Sequence, residues 1–104
     1  MKHKDLFNLL KKLNIPVAYD HFDDNKNLEP PFMAYRELAA NTFNADNKNY
    51  FFNKNFEIEL VTSKKDVELE ERIEELLNNN NISFDKLDEI WDKDEKIYHI
   101  FYEI

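Results

Sequence analysis

The sequence contains no glycine and no cysteine. Both the P-loop and the dinucleotide-binding fingerprint need glycines where the backbone approaches a phosphate, so nucleotide chemistry of these kinds is excluded. Without cysteine the chain can form no disulfide framework and cannot use thiolate catalysis, which is compatible with a reducing compartment. Backbone positions that need positive φ must use asparagine, the most tolerant residue after glycine, and we expect asparagines at the joints of the fold.

Long apolar runs and an excess of basic charge are also missing. No stretch approaches the ~20 apolar residues of a membrane-spanning helix, and the N-terminal sequence MKHKDLFNLLKKLN lacks the apolar run of a signal peptide. The 22 acidic residues outnumber the 14 basic ones, and the net charge of −8 argues against a surface that follows nucleic-acid phosphates. We expect residues 1–104 to form a single soluble, cytoplasmic domain with no direct nucleic-acid binding and no membrane insertion.

The clearest pattern is a strand followed directly by a helix between residues 56 and 77. Phe56, Ile58 and Leu60 alternate with glutamates, which is typical of a half-buried strand. The apolar spacing then changes to that of an amphipathic helix, so the strand and the helix are predicted to bury their apolar sides against each other. The apolar stripe of this helix consists of Leu69, Ile73, Leu76 and Leu77.

Another helix is predicted over about residues 3–13, and both helices carry signals at their ends. Asn14 and Asn81 can take left-handed C-cap positions, and each is followed by an isoleucine that can fold back on its helix. Asp66 can cap the start of the second helix, with Ser63 as the competing cap. The apolar stripe of the first helix consists of Leu6, Leu9, Leu10 and Leu13.

The remaining apolar segments predict strands. Residues 16–22 suit a short strand or an extended lead-in, and residues 32–38 suit a strand whose core face the pattern does not decide. Residues 82–91 fit a strand or a helix; the strongly β-prone run 97–104 favours a strand and a terminal hairpin. The fold expected is an α+β domain with a largely antiparallel sheet of about four strands, both helices on one face, and a long β-hairpin arm that joins residues 32–38 to 50–62.

The sequence offers only weak candidates for metal-binding or catalytic residues. The three histidines lack metal-ligand spacing, so neither a metal site nor a cofactor is predicted. The acidic loop around Asp20 looks like a loose acid–base set, but no positioned partner is evident, and a solvated loop is the favoured interpretation. A small hydrolase that uses this loop is therefore the weakest functional alternative, and we predict no catalytic residues. The histidines are His3, His21 and His99, and the acidic loop contains Asp20, His21, Asp23 and Asp24.

Two groups of side chains are candidate interaction surfaces. Glutamates of the second helix offer an acidic docking face, although a solvated outer face is the simpler interpretation. Aromatic residues around the arm offer a subunit interface, because not all of them can face inward from a two-stranded arm; a core position is the alternative. We expect residues 40–52 to be mobile in an isolated subunit and to become ordered on assembly. The predicted residues are Glu70, Glu71, Glu74 and Glu75 for the acidic face, and Phe43, Tyr50 and Phe51 for the interface.

Several short segments together resemble one family. They are PVAYDHF at 16–22, PPFMAY at 30–35, FNAD at 43–46 with Tyr50, EIELVT at 57–62 with KKD at 64–66, and YE at 102–103. In this order they look like the small tail-completion proteins of siphophages and prophages of Gram-positive bacteria. The chain departs from the family pattern at Asn47, where glycine is expected, and at Val67, where proline is expected. Asparagine tolerates the same turn, and Val67 weakens only the helix start.

The resemblance implies a structural protein at the head–tail junction, similar to tail terminators, which form a ring that closes the tail tube. It implies a homo-oligomer on assembly, partners among the tail and head–tail connector proteins, no enzymatic activity, and a location in the host cytoplasm and then in the virion tail. The isolated chain is expected to be monomeric or only weakly associated. An acidic inhibitor that mimics nucleic acid and occupies a DNA-binding protein is the alternative from another class.

Overall fold

The computed structural model describes residues 2–21, 28–38 and 56–104. These residues form two α-helices and five strands. In chain order the elements are helix α1 (His3–Leu10), which continues as a 3-10 turn (Lys11–Leu13), strands β1 (Val17–Tyr19), β2 (Phe32–Glu37) and β3 (Phe56–Thr62), helix α2 (Val67–Asn79), and strands β4 (Asp85–Asp92) and β5 (Ile97–Glu103).

The five strands form one mixed sheet in the order β1-β2-β3-β5-β4. The predicted α+β class is confirmed, and the described residues form five strands where about four were expected. The additional strand is β1, which pairs in parallel with β2 through Val17 and Met33. A parallel pair needs a connection of about a dozen residues to return the chain to the same end of the sheet, and residues 20–31 supply that length.

The hairpin predictions are confirmed where the structure describes them. Strands β2 and β3 pair antiparallel from Phe32 opposite Val61 to Glu37 opposite Phe56. The rest of the predicted arm, residues 39–55, lies outside the described residues. The segment that fitted either a strand or a helix is a strand, because β4 pairs antiparallel with β5 in the predicted terminal hairpin.

One face of the sheet carries the core. Cross-strand partners share a face, so Met33, Leu60 and Ile100 form one buried row of this face. Both helices pack on this face through their predicted apolar stripes, which confirms the prediction. The core face of β2, which the sequence pattern did not decide, is the face that carries Met33. The core consists of Leu6, Leu10, Leu13, Met33, Tyr35, Phe56, Ile58, Leu60, Leu69, Ile73, Leu77, Ile100, Tyr102 and Ile104, with Leu76 packed against it.

The helix ends follow the predicted asparagine signals. Asn14 and Asn81 have φ values of 60° and 58°, in the left-handed region. The Ile82 N–H donates to the Leu77 carbonyl oxygen at 2.9 Å, which closes the second helix as a Schellman motif. At the other end of α2 the Asp66 carboxylate accepts the Leu69 N–H at 3.1 Å, so Asp66 is the cap of this helix.

Candidate assembly surface

Strand β4 lies at one edge of the sheet and pairs only with β5 among the described strands. It also carries three large exposed apolar side chains, with Leu87 43%, Ile90 49% and Trp91 46% accessible to solvent. An edge strand presents backbone N–H and C=O groups that another chain can pair with. Adjacent exposed apolar residues on such an edge are typical of a surface used in protein–protein contact.

The apolar side chains lie on both faces of this edge. Trp91 is opposite Tyr98, and the two rings pack with their centroids 4.7 Å apart. Ile90 is opposite His99 and therefore points to the other face, because neighbouring side chains alternate along a strand. The register shifts between Lys86 and Glu89, as at a β-bulge, and bulges at sheet edges redirect side chains.

A network of charges connects β4 to helix α2. The Glu70 carboxylate is only 2% exposed, and it lies 2.5 Å from Lys86 Nζ and 3.0 Å from Lys65 Nζ. Lys65 also reaches Glu89 on β4 at 2.6 Å, and Lys86 lies 3.3 Å from Glu74. A buried carboxylate needs such partners because it has lost its water shell. The network therefore holds the edge strand against the helix.

The network shifts the protonation equilibria of its members. The hydrogen bond to Glu89 is the main cause that raises the pKa of Lys65. Burial lowers the pKa of Lys86, but hydrogen bonds to Glu70 and Glu74 outweigh that effect, so its pKa is raised. Burial raises the pKa of Tyr102, whose hydroxyl also donates to Glu74 at 2.7 Å. All three groups thus keep their protons more strongly in the folded protein.

An aromatic groove lies at the opposite edge of the sheet, between α1 and β1. The His3 ring stacks on Tyr19 with centroids 4.3 Å apart, and His3 Nδ1 is hydrogen-bonded to the Tyr35 hydroxyl at 2.9 Å. Burial, and then the neighbouring Tyr19, raise the pKa of Tyr35. The groove has a volume of about 550 Å³ and opens to the surface. It is lined by Lys2, His3, Lys4, Phe7, Tyr19 and Tyr35.

The face of the sheet without helices carries an ion pair and a histidine–carboxylate hydrogen bond. Arg36 lies 3.1 Å from Glu57, and His99 Nδ1 lies 2.5 Å from Glu59. A cleft of about 290 Å³ opens beside Glu57 and Glu59 and extends to Asp20. Among residues 2–21, 28–38 and 56–104, no three histidines or carboxylates cluster in a way that could hold a metal ion. The geometry of this face is that of an ion-paired sheet surface.

The residues of the predicted acid–base set are only partly described. The His21 ring and the Asp20 carboxylate are hydrogen-bonded at 2.8 Å and both are exposed. Asp23 and Asp24 lie outside the described residues. His3, in contrast, is held in the aromatic groove, and His99 is hydrogen-bonded to Glu59, so the three histidines occupy separate environments.

The predicted interaction residues divide into different environments. Glu70 is buried and Glu74 is partly buried, because both face β4, whereas Glu71 and Glu75 are exposed. The four glutamates therefore do not form one solvent-facing surface. The predicted interface residues Phe43, Tyr50 and Phe51 lie outside the described residues.

The exposed residues of β4 were missed from the sequence. Leu87, Ile90 and Trp91 are spaced as on one helical turn and do not alternate as in a half-buried strand, so the pattern did not indicate that they lie exposed on an edge strand. Apolar residues at both odd and even positions of a strand, with charged residues between them, are typical of an edge strand whose two faces are each partly buried.

Comparison with known protein families, with curated proteins and with solved structures gives no significant match. None of the helices among the described residues combines the length and the apolar character needed to cross a lipid bilayer.

Proposed function

We propose that this chain is a structural tail-completion protein of a phage or prophage, placed at the head–tail junction, where it forms a ring as a tail terminator. The family role comes from the ordered sequence resemblance. The observation that supports an assembly role independently is the exposure of Leu87, Ile90 and Trp91 on β4, which is an edge strand among the described strands. A folded domain with such an exposed apolar edge is stabilised when another subunit covers that edge.

The rigid support of this edge also favours an assembly role. Lys86 of β4 contacts Glu70 of α2, and Lys65 contacts both Glu70 and Glu89 of β4, so these ion pairs position the edge before any partner binds. A preorganised surface loses less conformational entropy on association than a flexible one. A subunit that must repeat the same contact around a ring needs this constancy.

The acidic net charge of the chain suits a ring through which DNA passes without binding to the protein. With a net charge of −8, an acidic lumen raises the free energy of close approach by a polyphosphate. The same charge is the observation that favours the second candidate, an inhibitor that mimics nucleic acid. The two candidates differ in their partners, since the inhibitor binds a DNA-binding protein as a monomer and the terminator binds tail proteins.

Deletion of the gene from the phage or prophage that encodes it tests the proposal. Without a closing ring, the tail tube has no end at which growth stops and heads attach. Electron microscopy of the lysate should show DNA-filled heads separate from tails of irregular length, and the wild-type chain supplied in trans should restore joined particles. A deletion strain that yields normal virions contradicts the proposal. Recovery of the chain bound one-to-one to a nuclease or repressor would instead establish the inhibitor.

A further inference from the structure

We propose that the aromatic groove between α1 and β1 binds an acidic peptide segment of a partner protein and takes one aromatic side chain of that segment. The groove is separate from the β4 edge, and this binding does not depend on the proposed function. Aromatic rings form the groove, and exposed lysines lie beside it. The rings are those of His3, Phe7, Tyr19 and Tyr35, and the lysines are Lys2, Lys4 and Lys11.

Basic charge is concentrated on α1 and its 3-10 turn, although the chain as a whole is acidic. Residues 2–12 contain four of the 14 basic residues and only one of the 22 acidic residues. The rest of the chain therefore holds ten basic and 21 acidic residues. A local excess of positive charge on an acidic protein directs an anionic partner to that site. The four lysines are Lys2, Lys4, Lys11 and Lys12.

These four lysines are exposed, and none of them forms an ion pair with a residue that the structure describes. The lysines at the other end of the sheet differ, because Lys65 and Lys86 are both paired with Glu70. Lys11 Nζ lies 5.3 Å from the centroid of the Phe7 ring, so one cation is held over a wall of the groove. The lysines of α1 can therefore pair with the carboxylates of a partner.

The rings of the groove are already packed together. His3 stacks on Tyr19 with centroids 4.3 Å apart, and His3 Nδ1 is hydrogen-bonded to the Tyr35 hydroxyl at 2.9 Å. Phe7 and Tyr19 pack against Tyr35 with centroids 6.3 and 5.3 Å away. Tyr35 is buried, but Tyr19 is 43% exposed, so the groove leaves aromatic surface in contact with solvent. An aromatic side chain of a partner can cover this surface without reordering the rings.

The size of this surface favours a peptide as the partner. The groove volume of about 550 Å³ falls in the range of roughly 300–1,000 Å³ typical of binding pockets, which is enough for a large side chain. The basic residues beside it are confined to one short helix and its 3-10 turn. A nucleic acid needs a longer basic path for its phosphates. A peptide needs only an aromatic residue with carboxylates on either side.

NMR titration of the isotope-labelled full chain with the blocked peptide DEWED at low ionic strength tests the proposal. A dissociation constant of about 1 mM or lower is expected, with the largest chemical-shift changes in α1 and β1. Replacing the tryptophan of the peptide by alanine should weaken binding at least about tenfold, because the groove then stays uncovered. Added salt should also weaken binding, and the basic peptide KKWKK should not bind.

Two charge-reversal variants show whether the lysines beside the groove contribute. Lys2→Glu/Lys4→Glu should weaken binding of DEWED at least about tenfold, and it should still fold because glutamate is favourable at the start of a helix. Lys64→Glu/Lys93→Glu is the matched control, since it makes the same change in net charge at exposed positions that do not line the groove. This control should bind within about a factor of three of the wild type.

Four results would overturn the inference. They are no binding of DEWED at several millimolar, equal binding of DEWED and KKWKK, equal losses in the two double variants, and tighter binding of single-stranded oligothymidylate than of DEWED. The last result would make the groove a nucleic-acid site. If virions require a chain that does not bind the peptide, the inference fails and the proposed function stands. If the chain binds the peptide in the groove but virions do not need it, only the proposed function fails.

Discussion

Lys86 on β4 donates a hydrogen bond to the buried carboxylate of Glu70 on α2, with Nζ and Oε1 2.5 Å apart. Lys65 contacts the same carboxylate from the segment before the helix. One buried acid thus connects the helix layer to the edge strand that we propose as an assembly surface. The edge strand is held in place partly by electrostatics, because its own side chains contribute little to the core.

Replacing Glu70 by alanine should destabilise the domain by about 1–3 kcal/mol. The change removes the carboxylate that Lys65 and Lys86 contact, although both lysines are partly exposed and can be solvated again. Chemical denaturation measures the loss. Glu71→Ala is the matched control, since Glu71 is exposed on the same helix, and it should change stability by less than about 0.5 kcal/mol. Equal effects of the two changes would show that Glu70 has no structural role.

Truncating Ile73 to alanine should cost about 2–5 kcal/mol, because its side chain is fully buried between α2 and the sheet. Thermal or urea unfolding of the purified variant gives the value. The control is Val67→Ala on the same helix, whose side chain is 54% exposed, and it should lie near the wild type. A loss below about 0.5 kcal/mol for Ile73→Ala would place this residue outside the core.

Replacing Thr62 by valine should raise stability by up to about 1 kcal/mol. The Thr62 hydroxyl is buried and has no hydrogen-bond partner among the described residues, so it has lost its hydration without compensation. Valine has nearly the same shape and removes the polar atom. Thr62→Ser is the informative comparison, because it keeps the hydroxyl, loses the methyl group and should be destabilising. A valine variant less stable than wild type would mean that the hydroxyl is bonded.

Stability should fall as the pH rises above about 10. Lys65, Lys86, Tyr35 and Tyr102 all have raised pKa values in the folded state, so above the unfolded pKa values of 10.5 for lysine and 10.0 for tyrosine the folded state binds more protons than the unfolded state. Their contribution is complete below those values and is lost as the pH rises through the folded ones. Melting temperatures between pH 8 and pH 11 measure the slope.

The variant Tyr102→Phe checks the source of this alkaline loss. It removes one of the four groups, so its stability should fall less steeply with pH than that of the wild type, even though it starts lower at neutral pH because Glu74 loses a donor. Identical slopes for the two proteins would assign the loss to other groups.

Local signals in the sequence predicted the local structure. Asn14, Asn81 and Asp66 act within one helical turn of their own positions, and each helix end is found where these residues indicate. The apolar stripes likewise placed Ile73 and Leu77 in the core, since a stripe needs no knowledge of its partner.

Long-range arrangements could not be predicted in the same way. The parallel pairing of Val17 with Met33 depends on the connection between the two strands, and the sequence of that connection has no periodic pattern. Glu70 carries the same side chain as its exposed neighbour Glu71, and only the position of Lys86 in the folded chain makes one of them a buried partner. The exposed edge of β4 depends on the sheet order, which places this strand last.

Immunogold electron microscopy of purified virions, with antibodies raised against this chain, tests whether the protein is a component of the tail. A tail-completion protein is a lasting part of the particle, so label is expected at the head-proximal end of the tail. Antibody that recognises the chain in the crude lysate but leaves purified virions unlabelled would show that the protein is not a tail component.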